Sequence, residues 1–179
     1  MTRYHAVMIK LVQPFIWLCL FRASTSDVPA SRLVFYCSLL FYFIVGTFVS
    51  HIDNSWRVSI VASISDTLML LFVAWGLLNI KNFPSRFLQT AASLAGTGGL
   101  ISLISLPIFM LLRAVDPQQG QLTSVVLLLV IVAIFWSLLV TAHIFRYALE
   151  ISPAMSAVYT VAYTMMTLVV VGLSISGVV

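Results

Sequence analysis

One acidic residue, Asp66, lies in an apolar run long enough to cross a membrane, VASISDTLMLLFVAW at residues 61–75. A charged carboxylate is costly in hydrocarbon, so Asp66 must be protonated, hydrogen-bonded or turned toward something polar. Such a residue could relay protons or bind a cation. It could also join two helices through a hydrogen bond worth about 0.6 kcal/mol. Asp66 therefore has two candidate roles: ion or proton transport, and assembly of helices.

Depth in the membrane decides which residues can reach Asp66. If its helix enters the membrane from the outer side at Val58, Asp66 lies about 12 Å below that surface. Tyr42 and Ser105 each lie eight residues from the outer end of their own spans, at the same depth. No Lys or Arg is expected there, and His143 is about 15 Å away along the membrane normal. We therefore expect Asp66 to be neutral and to join helices, with a partner-protein contact and transport as alternatives.

A second group of candidate residues, His143, Arg146 and Glu150, lies at the cytoplasmic end of a predicted helix. Spacings of three and four residues place the three side chains on one helix face. Arg146 and Glu150 could form an ion pair along that face. The face could bind lipid headgroups or a partner, or it could simply mark where the helix leaves the bilayer.

A third group, Ser93, Gly96 and Gly99 in SLAGTGGLIS, forms a stripe of small residues along one helix. Such stripes let a neighbouring helix approach closely, and we favour close packing here over a hinge. The glycines do not follow a strand, so they do not indicate a phosphate-binding loop.

Composition excludes most other classes of protein. The chain of 179 residues is 61% hydrophobic and only 8% charged, whereas soluble domains are about a quarter charged. No metal-ligand spacing, catalytic triad or carboxylate pair is present, so we expect no enzymatic activity, no cofactor and no metal. The cysteines Cys19 and Cys37 are predicted to be free thiols. The net charge of +4 concerns orientation in the bilayer, so no nucleic-acid partner is expected.

Five apolar segments are long enough to cross a bilayer. They predict an all-α polytopic membrane protein with a transmembrane domain at residues 33–179 and spans at residues 33–50, 58–78, 87–112, 122–145 and 153–178. Residues 1–32 precede this domain. An amphipathic helix in the headgroup layer is favoured for their apolar part over a cleaved signal peptide.

The distribution of basic residues orients the five spans. With a cytoplasmic N-terminus, seven of the nine Lys and Arg residues face the cytoplasm, which predicts an N-in and C-out topology. Basic residues at this inner surface could also bind anionic lipid: Arg22, Arg32, Lys81, Arg86 and Arg146.

The runs RFLQTAASLAGTGGLISLISLPI and FWSLLVTAHIFRYALEISPAMSAVYTVAY resemble those of bacterial inner-membrane proteins of the Yip1-like superfamily. The segments DVPASRL, before the first span, and SISDTLMLL, in the second, are similar too. The resemblance covers the chain from about Val28 onward. It implies five spans in a bacterial cytoplasmic membrane and no established chemistry. The acidic Tyr-Gly-Pro motif of the eukaryotic, GTPase-binding members is absent.

These observations together predict a non-enzymatic inner-membrane protein. The role that they favour is an assembly or accessory subunit that contacts the lipid bilayer and either other membrane proteins or further copies of itself. The alternatives are a small transporter or channel subunit with Asp66 in its pathway, and a protein that acts by binding lipid.

Overall fold

The computed structural model describes residues 12–115 and 120–177, which are helical apart from short connections and contain no strand. Helix α1 includes residues 12–19. The five helices that follow are each long and apolar enough to cross a membrane: α2 Arg32–His51, α3 Trp56–Ile80, α4 Phe87–Ala114, α5 Gly120–Leu149 and α6 Pro153–Ser176. The prediction of an all-α membrane protein with five spans is confirmed. Helix α5, with 30 residues, is about 45 Å long and so extends beyond the hydrocarbon core of about 30 Å.

The turn between α5 and α6 shows how local sequence ends one span and begins the next. After Leu149, Glu150 adopts a left-handed conformation with φ of 53°, which stops the helix. Ser152 then accepts a hydrogen bond from the backbone N–H of Met155 (3.3 Å) and caps α6. Pro153 takes the first helical position, where its missing N–H costs nothing.

The five spans form a closed bundle in which each helix packs against two neighbours. The order around the bundle is α2, α4, α5, α6, α3 and back to α2, and α3 also contacts α4. Helix α4 contributes the largest number of buried residues, with small residues such as Ala91, Ala95 and Gly96 along its contact faces. Helix α6 is the least buried, and its only fully buried residues are Ser156 and Thr160. The bundle therefore has a closely packed centre around α4 and a peripheral helix in α6.

The N-terminal segment packs against the bundle. In α1, Phe15, Leu18 and Cys19 are buried, whereas the exposed side chains around them are also apolar: Val12, Ile16, Trp17 and Leu20. The predicted helix is present, but residues 12–19 lack the polar outer face of a helix that lies in the headgroup layer. Phe15 contacts Gly96, nine residues into α4 and about 14 Å from its start. This part of α1 thus packs beside the middle of α4, and its position in the headgroup layer stays a prediction.

Candidate functional site

Asp66 and Tyr42 meet near the middle of the membrane-spanning bundle. Each lies ten residues, or about 15 Å, after the first residue of its helix, Trp56 in α3 and Arg32 in α2. The Tyr42 hydroxyl donates a hydrogen bond to Asp66 Oδ2 at 2.6 Å. The sequence predicts that Asp66, Tyr42 and Ser105 lie at the same depth, and the structure shows a hydrogen bond between the first two.

Ser105, the third of these residues, is buried in α4 and forms no hydrogen bond with Asp66 in the described part of the chain. Instead, Tyr163 of α6 interacts electrostatically with both Tyr42 and Asp66, and its ring packs edge-on against Phe145 of α5 at 5.9 Å. The third polar side chain beside Tyr42 and Asp66 is therefore Tyr163, whereas the sequence indicates Ser105.

Thr167 lies beside Tyr163, one helical turn further along α6. Its hydroxyl is buried and has no well-oriented hydrogen-bond partner among the described residues. We call Tyr42, Asp66, Tyr163 and Thr167 the Asp66 cluster. The sequence analysis missed Tyr163, although one signal was available: it lies ten residues after the first residue of α6, just as Tyr42 lies ten residues after the first residue of α2.

Glycines of α4 make room for the aromatic rings that pack on this helix. A methyl group added to Gly98 would lie 2.8 Å from Cε2 of Tyr42, so only glycine lets that ring rest here. Methyl groups at Gly96 and Gly99 would meet the rings of Phe15 and Phe41 at 2.5 and 2.7 Å. Ser93, the remaining member of the predicted stripe, is fully buried. The stripe is a close-packing surface in a continuous helix, and Gly98 beside it positions the tyrosine that binds Asp66.

His143 holds the N-terminal segment. Its Nε2 atom donates a hydrogen bond to the carbonyl oxygen of Ala23 at 2.9 Å, and because a carbonyl can only accept, Nε2 carries the proton. The His143 ring lies between Phe21 and Tyr147, with centroid distances of 5.3 and 4.8 Å. The sequence left open a lipid contact, a partner contact or a plain interfacial position for His143, and the structure shows its hydrogen bond and ring contacts within the chain.

Two further side chains complete this attachment of the N-terminal segment. Trp136 Nε1 donates to the carbonyl oxygen of Cys19, and Gln89 Nε2 donates to that of Val28, both at 2.9 Å. Burial also raises the pKa of the Cys19 thiol to about 11. Together with His143, these side chains fix the backbone of the segment to α4 and α5 at three points.

Glu150 and Arg146 do not form the pair that their spacing allows. The left-handed turn at Glu150 carries its carboxylate away from α5, and Glu150 forms an ion pair of 2.5 Å with Arg86. Arg146 stays exposed, with its guanidinium 5.7 Å from the Tyr147 ring centroid. The predicted face of His143, Arg146 and Glu150 is thus divided among three separate contacts.

The described residues contain no cluster of three or more His, Cys, Asp or Glu side chains that could hold a metal ion. The Asp66 cluster offers one carboxyl and two phenol groups, which can exchange protons or hydrogen bonds but include no activated nucleophile. Comparisons with the models of known protein families, with characterised proteins and with solved structures find no match for this chain.

Proposed function

We propose that this integral membrane protein is a non-enzymatic assembly or accessory subunit of a larger membrane complex. The proposal places it in a bacterial cytoplasmic membrane, with its N-terminus inside and its C-terminus outside. The observation that carries the proposal is the state of the polar candidates: Asp66, His143 and Glu150 each have a partner within the chain. Groups used in this way hold helices together and are not free to act on a substrate.

Helix α6 supports the same proposal. Only 6% of its most apolar 18-residue window is buried within the chain, compared with 44% for α3. Its outward surface carries a shallow depression lined by Ala157, Val158, Val161 and Ala162. Small residues on an exposed membrane helix allow close approach by another helix, which is how membrane helices associate without a hydrophobic driving force. This surface is the one that we propose contacts a partner or a second copy.

The test is the native size of the full chain in mild detergent and in lipid nanodiscs, together with identification of copurifying proteins. We expect the chain to be recovered in a complex or an oligomer. Ala157→Trp places a bulky ring in the α6 depression and is expected to release the chain as a monomer. Val132→Trp, on the exposed face of α5, is the matched control and should leave the assembly intact. A wild-type chain that is monomeric in nanodiscs and copurifies with no protein contradicts the proposal.

A transporter or channel subunit is the second candidate function, and the position of the Asp66 cluster favours it. A carboxyl group and two tyrosines lie near the middle of three spans, where membrane proteins place proton and ion sites. This candidate predicts that Asp66→Asn abolishes flux in proteoliposomes while the fold is retained. Unchanged flux, or no flux above that of empty liposomes in the wild type, excludes it.

The likeness to Yip1-like proteins is compatible with both candidates, and we propose it as the family relationship. Five spans and short connections are what that family implies. A role in binding anionic lipid with the basic inner surface is a third candidate, and we do not propose it as the main function.

A further inference from the structure

A cavity of about 410 Å³ lies where α1, α2 and α4 meet. Helix α1 contributes Val12 and Phe15, α2 contributes residues from Leu33 to Phe41, and α4 contributes residues from Gly96 to Leu103. The lining is apolar apart from Ser38 and the Cys37 thiol. The cavity is partly open at the protein surface, and because three helices line it, a molecule bound in it is contacted on several sides. An ordinary lipid at the protein surface is contacted on one side only.

The cavity runs from the cytoplasmic end of the bundle toward its middle. Along α2 it extends from Leu33, in the first turn, to Phe41, a rise of about 12 Å. One leaflet of the hydrocarbon core is about 15 Å thick. The cavity therefore has the direction and about the length of a lipid chain in the cytoplasmic leaflet.

A positive charge lies at the cytoplasmic end of this cavity. Arg32, directly before Leu33, is exposed and has no acidic partner in residues 12–115 and 120–177. Arg32 also begins α2, whose N-terminal backbone N–H groups carry partial positive charge and receive no side-chain cap from Ser31. Both features favour a negatively charged headgroup, of the kind that the phosphate of a phospholipid supplies.

We propose that this cavity binds one acyl chain of an anionic phospholipid from the cytoplasmic leaflet, with its phosphate at Arg32. The proposal concerns a bound lipid and is independent of the assembly function. The lipid also contacts α1, so it connects the N-terminal segment to α2. A neutral lipid or a helix from a second copy are the other possible occupants, and the experiment separates them.

The test is native mass spectrometry of the full chain, released from nanodiscs that contain equal amounts of phosphatidylglycerol and phosphatidylcholine. We expect one phosphatidylglycerol to remain bound to the wild type. Arg32→Gln should weaken this retention about fivefold and remove the preference over phosphatidylcholine. Arg57→Gln, an exposed arginine at the start of α3 on the outer side, is the matched control and should change nothing.

Two further variants fill the cavity. Cys37→Trp acts from α2 and Leu103→Trp from α4, and both side chains are partly exposed in the folded chain, so at least one variant should fold. Each should abolish retention of either lipid. Equal retention of both lipids by the wild type, or unchanged retention by a folded tryptophan variant, overturns the proposal. A change from dimer to monomer in these variants, without loss of lipid, would assign the cavity to a second copy and also overturn it.

Discussion

The hydrogen bond between Tyr42 and Asp66 can be tested by changing one partner at a time. Tyr42→Phe removes the hydroxyl and keeps the ring that packs against Gly98. Asp66→Asn keeps an oxygen that can accept from Tyr42, whereas Asp66→Leu removes the acceptor. If the bond stabilises the bundle, Tyr42→Phe and Asp66→Leu lower stability, and Asp66→Asn has little effect.

The expected magnitude follows from the geometry. At 2.6 Å this is a short O–H···O hydrogen bond that joins two helices near mid-membrane. Hydrogen bonds between membrane helices average about 0.6 kcal/mol and reach about 1.7 kcal/mol, so we expect about 1 kcal/mol for Tyr42→Phe. That loss corresponds to about a fivefold change in the unfolding equilibrium. Asp66→Asn keeps an acceptor for the Tyr42 hydroxyl and should cost less than Tyr42→Phe.

The assay is reversible unfolding of the full chain in bicelles, combined with a double-mutant cycle over Tyr42→Phe and Asp66→Leu. The two substitutions should be non-additive by about the strength of the bond. Tyr36→Phe, an exposed tyrosine on the same helix, is the matched control and should have no effect. Additive losses, or an Asp66→Asn variant as unstable as Asp66→Leu, would refute the reasoning. In the second case, Asp66 contributes through its charge or its proton.

Three further predictions concern the packing at Gly98, the attachment of the N-terminal segment and the ion pair of Arg86. Gly98→Ala forces the Tyr42 ring to move and should lower the free energy of unfolding by about 1–3 kcal/mol in the same assay. Gly172 has open space around it, so Gly172→Ala is the control and should leave the free energy of unfolding unchanged. Because burial raises the pKa of Cys19 to about 11, its thiol should react slowly with iodoacetamide at pH 8 and faster as the pH approaches 11. Trp136→Phe releases the Cys19 carbonyl and should accelerate the reaction at pH 8. Equal reaction rates for the wild type and Trp136→Phe would contradict the anchoring role of Trp136. Arg86→Gln breaks an ion pair whose side chains are 37% and 56% exposed, together with the contacts of Arg86 to the Ala148 carbonyl oxygen and the Phe83 ring. Glu150→Gln breaks the ion pair alone and should cost less than about 1 kcal/mol by unfolding, so a larger loss for Glu150→Gln would contradict a weak, exposed pair.

The number of spans and the pairing of Asp66 with Tyr42 were predictable for simple physical reasons. A bilayer sets the minimum length of an apolar helix, and the constant rise per residue sets the depth of each side chain. Depth does not determine the rotation of a helix about its axis. Ser105 therefore has nearly the right depth but no bond to Asp66, whereas Tyr163 reaches Asp66 from α6. In spans that are apolar on every side, the sequence carries little information about which face turns inward.

The position of the N-terminal segment was harder to predict, because long-range hydrogen bonds determine it. Trp136 binds the carbonyl oxygen of Cys19 across 117 residues, and His143 binds that of Ala23 across 120. The acceptors are backbone atoms, which every residue has, so the sequence shows only the donors. The sequence places His143 where its helix leaves the bilayer and does not indicate its hydrogen bond to the chain itself.

The Asp66 cluster and the exposed face of α6 are physically linked, because α6 packs against α3 and α5 but buries few of its side chains fully. Helix α6 fully buries only Ser156 and Thr160, and lipid provides no hydrophobic force that would press it inward. Its other inward contacts include Tyr163, which faces Tyr42 and Asp66, and a hydrogen bond of 2.9 Å between Ser65 and Ser174. Removing the interactions of the Asp66 cluster should therefore detach α6 at a lower denaturant concentration than the one that unfolds α2–α5. If α6 presents the assembly surface, Asp66→Leu should weaken assembly as Ala157→Trp does, although Asp66 lies inside the bundle. Asp66→Asn should leave assembly intact, and a complex that survives Asp66→Leu would show that the two features act separately.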